Sequence, residues 1–348
     1  MIRRLRVESQ QLRAPRFDTP GELVSWMGAI QGQDYAMSQW AVGLRLRRPS
    51  LSAVREALRK GEIIRTHILR PTWHLVAAED IRWMLPLTAP RLRRANESYG
   101  KGLGISEKTF LRGNDLLGKM LEGGRSLTKA EIALRLTEAG LLADSSHVTM
   151  FLFRAETEAL ICSGPDRGNK VTYALFDERV PARPAVSREE ALARLATRYF
   201  RNHSPASLED FSWWSGLTLT EAREAIALVA DQLVTDRFAP LKLYVHASCQ
   251  EAEADEDLVH LMPAYDEYLI SYKDRAAVLD MKHQRQAYNS YGIFYPVMLC
   301  QGRVVGNWKR EKKGKEIHIT HTLFAGEPKP KAAEIRKAVR RYLDFLEQ

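Results

Sequence analysis

Only three cysteines occur in 348 residues, and Cys162, Cys249 and Cys300 stand far apart with no CxxC pair. That scarcity speaks against a zinc ribbon or a disulfide framework. No apolar run approaches the roughly 18–20 residues that a bilayer-spanning helix needs. The basic N-terminus MIRRLRVESQQLRAPR has no apolar signal-peptide segment behind it. The expectation is a cytoplasmic protein with no membrane partner. There is no G-x-S-x-G elbow, Walker loop or dinucleotide fingerprint, and GKGLG at 100–104 lacks the preceding strand that a phosphate-binding loop requires, so it reads as a link between units. His318 and His321 look like a metal pair, but in the strand-like EIHITHTLF a spacing of three sends them to opposite faces. Neither a metal nor a cofactor is implied.

What the chain does contain is a cationic surplus. Hydrophobic residues at 45% and charged residues at 27% are ordinary for a folded globular protein, and the length suggests two to four units. Fifty-two Lys and Arg against 43 Asp and Glu give a net charge of +9. Such a surplus raises affinity for polyanions through counterion release, which makes nucleic acid a plausible partner by composition.

From Thr19 onward Leu23, Trp26, Met27 and Ile30 follow a helical spacing that resumes at Met37, Trp40, Ala41 and Leu44. Gly32 and Asp34 interrupt it, and Asp is a favoured N-cap. The reading is helix, short break, helix, with GAIQGQD at the break. In a non-helical segment Gln31 and Gln33, two residues apart, point the same way. A third helix over Leu51–Lys60 precedes the strand-like EIIRTHILRPTWHLV.

Three helices followed by a hairpin make the order of a winged helix-turn-helix. The order recurs at Leu127–Ala139 and Ser145–Leu160 with the wing-like ICSGPDRGNKVTYALF. It recurs again from Arg188 through SLEDFSWWSG and LTEAREAIALVADQL to LKLYV. After the acidic QEAEADEDL the composition turns to LMPAYDEYLISYKDR and to β-branched, aromatic runs that read as antiparallel strands and hairpins. A terminal helix places Ile335, Val339, Tyr342 and Leu346 on one face. The expected fold is α+β and helix-rich: three tandem winged helix-turn-helix units at residues 1–100, 101–182 and 183–250, then a β-rich element and final helix at 251–348.

In the first hairpin, a turn centred on Arg70 and Pro71 pairs Ile68 with Trp73 and His67 with His74. Alternation then puts Ile64, Thr66, Ile68, Trp73 and Leu75 on a core face, and Arg65, His67 and His74 on the opposite one with Arg70 at the tip. That face suits a wing presented to phosphates, or equally a solvated strand with locally bonded histidines. In DEYLISYKDR, the residues Asp266, Glu267, Asp274 and Arg275 suit either paired acid–base carboxylates or a structural ion-pair cluster. The basic KREKKGKE at 309–316 is a solvated turn or a contact to a phosphate backbone.

These segments, AIQGQDYAMSQWAVGLRL, RTHILRPTWHLVAAEDIRWML, EDFSWWSGLTLTEAR, LMPAYDEYLISYKDR and GRVVGNW, resemble the winged-helix superfamily of bacterial DNA glycosylases of the AlkZ and YcaQ type. The resemblance covers most of the chain. It implies three tandem winged helices forming a DNA-binding surface, and a catalytic motif of two glutamines around one small or hydrophobic residue, which falls on Gln31 and Gln33. Gly32 is smaller than the usual middle residue, and ILRPTWHLV differs from the wing of other members. The implied partner is double-stranded DNA, alkylated or crosslinked, with no obligate protein partner. The implied activity is hydrolysis of the N-glycosidic bond of alkylated purines, with Arg65, His67, Arg70 and His74 holding DNA. A non-catalytic winged-helix DNA-binding protein or transcriptional regulator is the alternative that the same surface would serve. Asp34 remains open between N-cap and general base.

Overall fold

A computed structural model of the protein describes residues 1–141, 144–168, 170–238, 241–249, 258–314 and 316–348. The chain begins with α1 (Ile2–Ser9), α2 (Pro20–Met27), the two-residue strand β1 (Ile30–Gln31), α3 (Tyr35–Gly43) and α4 (Leu51–Lys60). The hairpin strands β2 (Ile63–His67) and β3 (Trp73–Ala77) lead into the long α5 (Ala78–Gly102). There follow α6 (Glu107–Leu121), β4 (Leu127–Thr128), α7 (Lys129–Glu138), α8 (Ser145–Thr157), β5 (Ile161–Ser163), β6 (Thr172–Leu175) and α9 (Phe176–Arg179). Next come α10 (Arg188–His203), α11 (Leu208–Ser215), α12 (Leu219–Ala227), β7 (Leu233–Phe238) and β8 (Leu241–His246). The chain closes with β9 (Val259–Met262), α13 (Glu267–Ile270), α14 (Gln284–Ala287), β10 (Val297–Cys300), β11 (Arg303–Lys313), β12 (Glu316–Leu323) and α15 (Ala332–Glu347). Except for Leu258, the acidic stretch at 250–258 lies outside the described residues. Among those described, no helix is long and apolar enough to cross a membrane.

Side-chain caps set several of the helix starts. Thr19, Asp34, Ser106, Thr128, Ser207 and Thr218 each accept a bond from a backbone amide of the first turn. The last three form capping boxes with Glu131, Asp210 and Glu221, so two otherwise orphaned donors are satisfied at once.

The described residues form two compact units, Met1–Arg55 with Leu192–Gln348, and Glu56–Ala191. In the first, an antiparallel sheet of order β12-β11-β10-β9 meets α15 and α3. Trp40 of α3 lies with its ring 5.0 Å from Tyr342 and 5.0 Å from Phe345 of α15, and Trp308 of β11 lies 4.9 Å from Tyr342. Gly43 permits this approach, because a Cβ there would enter the Phe345 ring. The buried face of α15 is Ala338, Tyr342 and Phe345, with Ile335, Val339 and Leu346 half-buried beside it. In the second unit α6, α7 and α8 enclose Phe110, Leu117, Leu121, Ile132, Leu136 and Phe151 beside the sheet β4-β6-β5.

Two expectations are corrected. GKGLG is no link, since α5 runs on to Gly102. The segment LMPAYDEYLISYKDR is strand only up to Met262. Beyond it Asp266 caps the short helix α13, accepting a bond from the Tyr268 amide at 2.9 Å, and that cap starts a helical turn where a strand would have continued.

Candidate active site

The break between α2 and α3 is real. Gly28 ends α2 at a positive φ of 77°, the left-handed side that glycine tolerates without strain. Ile30 and Gln31 are extended, and Asp34 restarts the helix by accepting the Met37 amide at 3.0 Å. Gln31 is 3% exposed and Gln33 is exposed, so one amide sits at the floor of the segment and the other at its surface.

A single carboxylate holds the break from beneath. The Gln31 backbone N–H donates to Glu267 Oε1 at 2.6 Å. The other oxygen, Oε2, accepts from Trp214 Nε1 at 3.1 Å and from the Ser271 hydroxyl, and His203 Nε2 lies 3.6 Å away. Glu267 is fully buried, and a buried carboxylate is tolerable only with this many donors. His203, stacked on Tyr199 with ring centroids 4.7 Å apart, is pushed by burial toward its neutral form, an effect that Glu267 opposes.

The neighbouring Asp266 is used differently. Its two oxygens receive both terminal nitrogens of Arg45 at 2.9 and 2.8 Å. Arg45 also donates to the Ala41 carbonyl, the Gln10 carbonyl and Gln10 Oε1, so the buried guanidinium is satisfied on all sides. The segment around α13 is further tied by four indoles: Trp40 donates to the Leu261 carbonyl, Trp308 to Met262, Trp214 to Glu267 and Trp213 to Ile270. Asp266 and Glu267 are therefore structural cluster members in their geometry. Trp214, His203 and Ser271 carry no sequence signal that would have paired them with the glutamine segment.

Tyr265 precedes this pair at a left-handed φ of 58°. Its hydroxyl is pushed up, first by burial and then by the Asp34 carboxylate.

The hairpin of the second unit departs from the expected register. The observed partners are Arg65 with Leu75, Thr66 with His74 and His67 with Trp73, one residue away from the pairing of His67 with His74. The connection is Ile68–Thr72, five residues long, since Pro71 has a fixed φ and no N–H to close a two-residue turn. Because strand side chains alternate, the slip moves His74 to the face opposite Arg65 and His67. The expectation of one solvated cationic face is corrected on a second count, because Arg65, His67 and His74 are all buried and only Arg70, in the connection, is half-buried. Arg65 stacks over the Trp73 ring at 4.4 Å. His67 Nδ1 bonds the buried Glu156 carboxylate, and its ring lies between Trp73 at 4.5 Å and Phe153 at 4.7 Å.

His318 and His321 are exposed on β12, paired across the ladder with Glu311 and Trp308. Among the described residues no group of three His, Cys, Asp or Glu side chains is placed to hold a metal ion. Burial pushes the Cys162 thiol up to about 12, which leaves it unreactive.

This fold is shared with a solved structure. The chain is 25% identical over 324 residues, 87% of its length and 85% of the relative's, to the interstrand DNA cross-link repair glycosylase of Streptomyces sahachiroi. The solved structure of the Streptomyces sahachiroi DNA glycosylase AlkZ superposes with a TM-score of 0.80 at 21% identity, covering 99% of this chain and 95% of that one. The family model for DNA glycosylases of the AlkZ-like type matches residues 24–345. With that match spanning nearly the whole chain, the protein belongs to the AlkZ-like DNA glycosylase family.

Proposed function

We propose that the protein removes N7-alkylated purines, including those in interstrand crosslinks, from double-stranded DNA, with Gln31 and Gln33 at the glycosidic bond. Family membership favours the enzyme over a non-catalytic regulator. The observation that carries the proposal is the non-helical break at QGQ, buried at Gln31, exposed at Gln33 and braced at the Gln31 amide by Glu267.

Two carboxamides suit this reaction. A carboxamide is no base near neutral pH, but a purine alkylated at N7 is cationic and leaves readily. The C1′–N9 bond breaks with its electron pair returning to the base, a water oxygen bonds to C1′, and the water proton passes to solvent. Amide oxygens held in place orient that water and stabilise the oxocarbenium-like transition state as fixed dipoles. Asp34, engaged as the helix cap, is assigned to positioning rather than to proton abstraction.

Three winged-helix units at 1–100, 101–182 and 183–250, followed by the element at 251–348, are the arrangement we propose for DNA binding. Helix–helix–helix–hairpin runs at α2–β3, α6–β6 and α10–β8 support it. Arg70 meets a phosphate in this reading, while Arg65, His67 and His74 shape the hairpin that carries it. The protein acts in the cytoplasm. The test is single-turnover base release from duplexes carrying 7-methylguanine or an N7–N7 interstrand crosslink. Release from either supports the reading; release from neither, with enzyme in excess, defeats it.

A further inference from the structure

We propose that the turn Asn289–Ile293 is a DNA wedge whose tip, Tyr291, stacks against the base pair beside the damaged nucleotide. This rests on the glycosylase reading above.

Tyr291 and Ile293 in this turn are 89% and 41% exposed, and Tyr295 just beyond it is 36% exposed. Scattered exposed apolar residues are normal, but three at and beside one short turn are a concentration that calls for a partner. The turn is also heavily braced. Asn289 donates its amide to the Ile293 carbonyl and accepts the Gly292 amide on its own carbonyl. Its side-chain oxygen accepts the Tyr291 and Ile293 amides at 3.0 and 3.1 Å, and its Nδ2 donates to the Tyr295 hydroxyl at 3.1 Å. Gly292 supplies the left-handed φ of 77° that closes the turn.

Beneath the tip, Tyr288 and Phe294 stack at 5.0 Å and 17°. Arg275 lies under both rings, at 4.7 and 5.0 Å, and is fixed by its Nε bond to the Leu269 carbonyl at 2.8 Å. Leu269 belongs to α13, the helix whose first residue, Glu267, holds Gln31. Phe294 also lies 6.3 Å from Tyr265. The exposed phenol is thus joined through packed rings and one helix to the glutamine segment, as a positioning residue must be.

The occupant is a base stack rather than a protein. Apolar side chains on rigid turns enter base steps, and extruding a nucleotide leaves a gap that an aromatic ring fills. The chain entering the turn carries the exposed Arg285, with Lys282 paired to Asp280 at 2.9 Å, and the whole protein carries +9. A polyanion is the complementary partner.

The experiment compares wild type with Tyr291→Phe and Tyr291→Ala on a duplex carrying 7-methylguanine next to 2-aminopurine. Wild type and Tyr291→Phe are expected to change the 2-aminopurine fluorescence on binding and to release base within about twofold of each other. Tyr291→Ala is expected to lose the fluorescence change and at least tenfold in the single-turnover rate, with unaltered Tm and unaltered salt dependence of binding, because the side chain is neutral. An Ala variant that matches wild type in fluorescence and rate overturns the wedge. So does Tyr291-dependent self-association in light scattering, which would assign the turn to a protein partner. If wild type releases no base, the glycosylase reading fails, while the fluorescence arm still reads the wedge on its own.

Discussion

The backbone N–H of Gln31 and the buried carboxylate of Glu267, 236 residues later in the chain, meet at 2.6 Å. This bond fixes an otherwise irregular segment against the core from the carboxylate side. Glu267→Gln keeps the shape but gives one end of the group a donor where Trp214 and Ser271 already donate. We expect DNA affinity to persist while single-turnover base release drops roughly ten- to hundredfold, the penalty for a small misplacement of reacting groups. A Gln variant with the wild-type rate would remove Glu267 from the account.

Asp34 separates capping from proton transfer. Asn caps a helix about as well as Asp, whereas Ala costs about 0.5–2 kcal/mol. Asp34→Asn is therefore expected to retain both Tm and base release, and Asp34→Ala to lose stability by that amount in urea titration. Loss of release in the Asn variant at unchanged Tm would show that the carboxylate acts as a base.

Arg45 and Asp266 form a buried, bidentate pair, and removing one partner strands the other charge. Arg45→Met is expected to destabilise the fold by about 3–5 kcal/mol in denaturant unfolding. A change under about 1 kcal/mol would mean that the pair contributes little beyond packing.

His260 sets an acid limit. Burial, aided by Arg341 and Arg45, pushes its pKa down from 6.5 to about 3. A histidine with a depressed folded pKa is neutral in the native state and protonates more readily when unfolded, so its contribution is complete above about 6.5 and is lost as pH falls toward 3. The loss is about 1.4 kcal/mol per pH unit within that window. Urea midpoints between pH 7 and 5 should fall more steeply in wild type than in His260→Leu; parallel curves would contradict this.

Much of the local architecture was legible in the sequence. The helix over Leu51–Lys60, the Asp34 cap and the break holding Gln31 followed from apolar spacing and capping chemistry, which act within one or two turns of chain. The hairpin register did not, because a five-residue connection and a two-residue turn differ only in how Arg70, Pro71 and Thr72 close, and one residue of slip exchanges the faces. The 25-residue α5 is not legible from local pattern, because Pro86 and Pro90 lie inside it, where proline ordinarily signals a stop. Glu267 was visible as a carboxylate beside aromatics, but its bond to Gln31 joins segments far apart in sequence and leaves no periodic trace.

In the proposed reaction two neutral amides at one break between helices act on the glycosidic bond. The most direct test is single-turnover base release from 7-methylguanine DNA by wild type, Gln31→Ala and Gln33→Ala, with DNA affinity measured in parallel. The account predicts that each substitution lowers the release rate at least tenfold while binding is retained. Wild-type rates in both variants would contradict it.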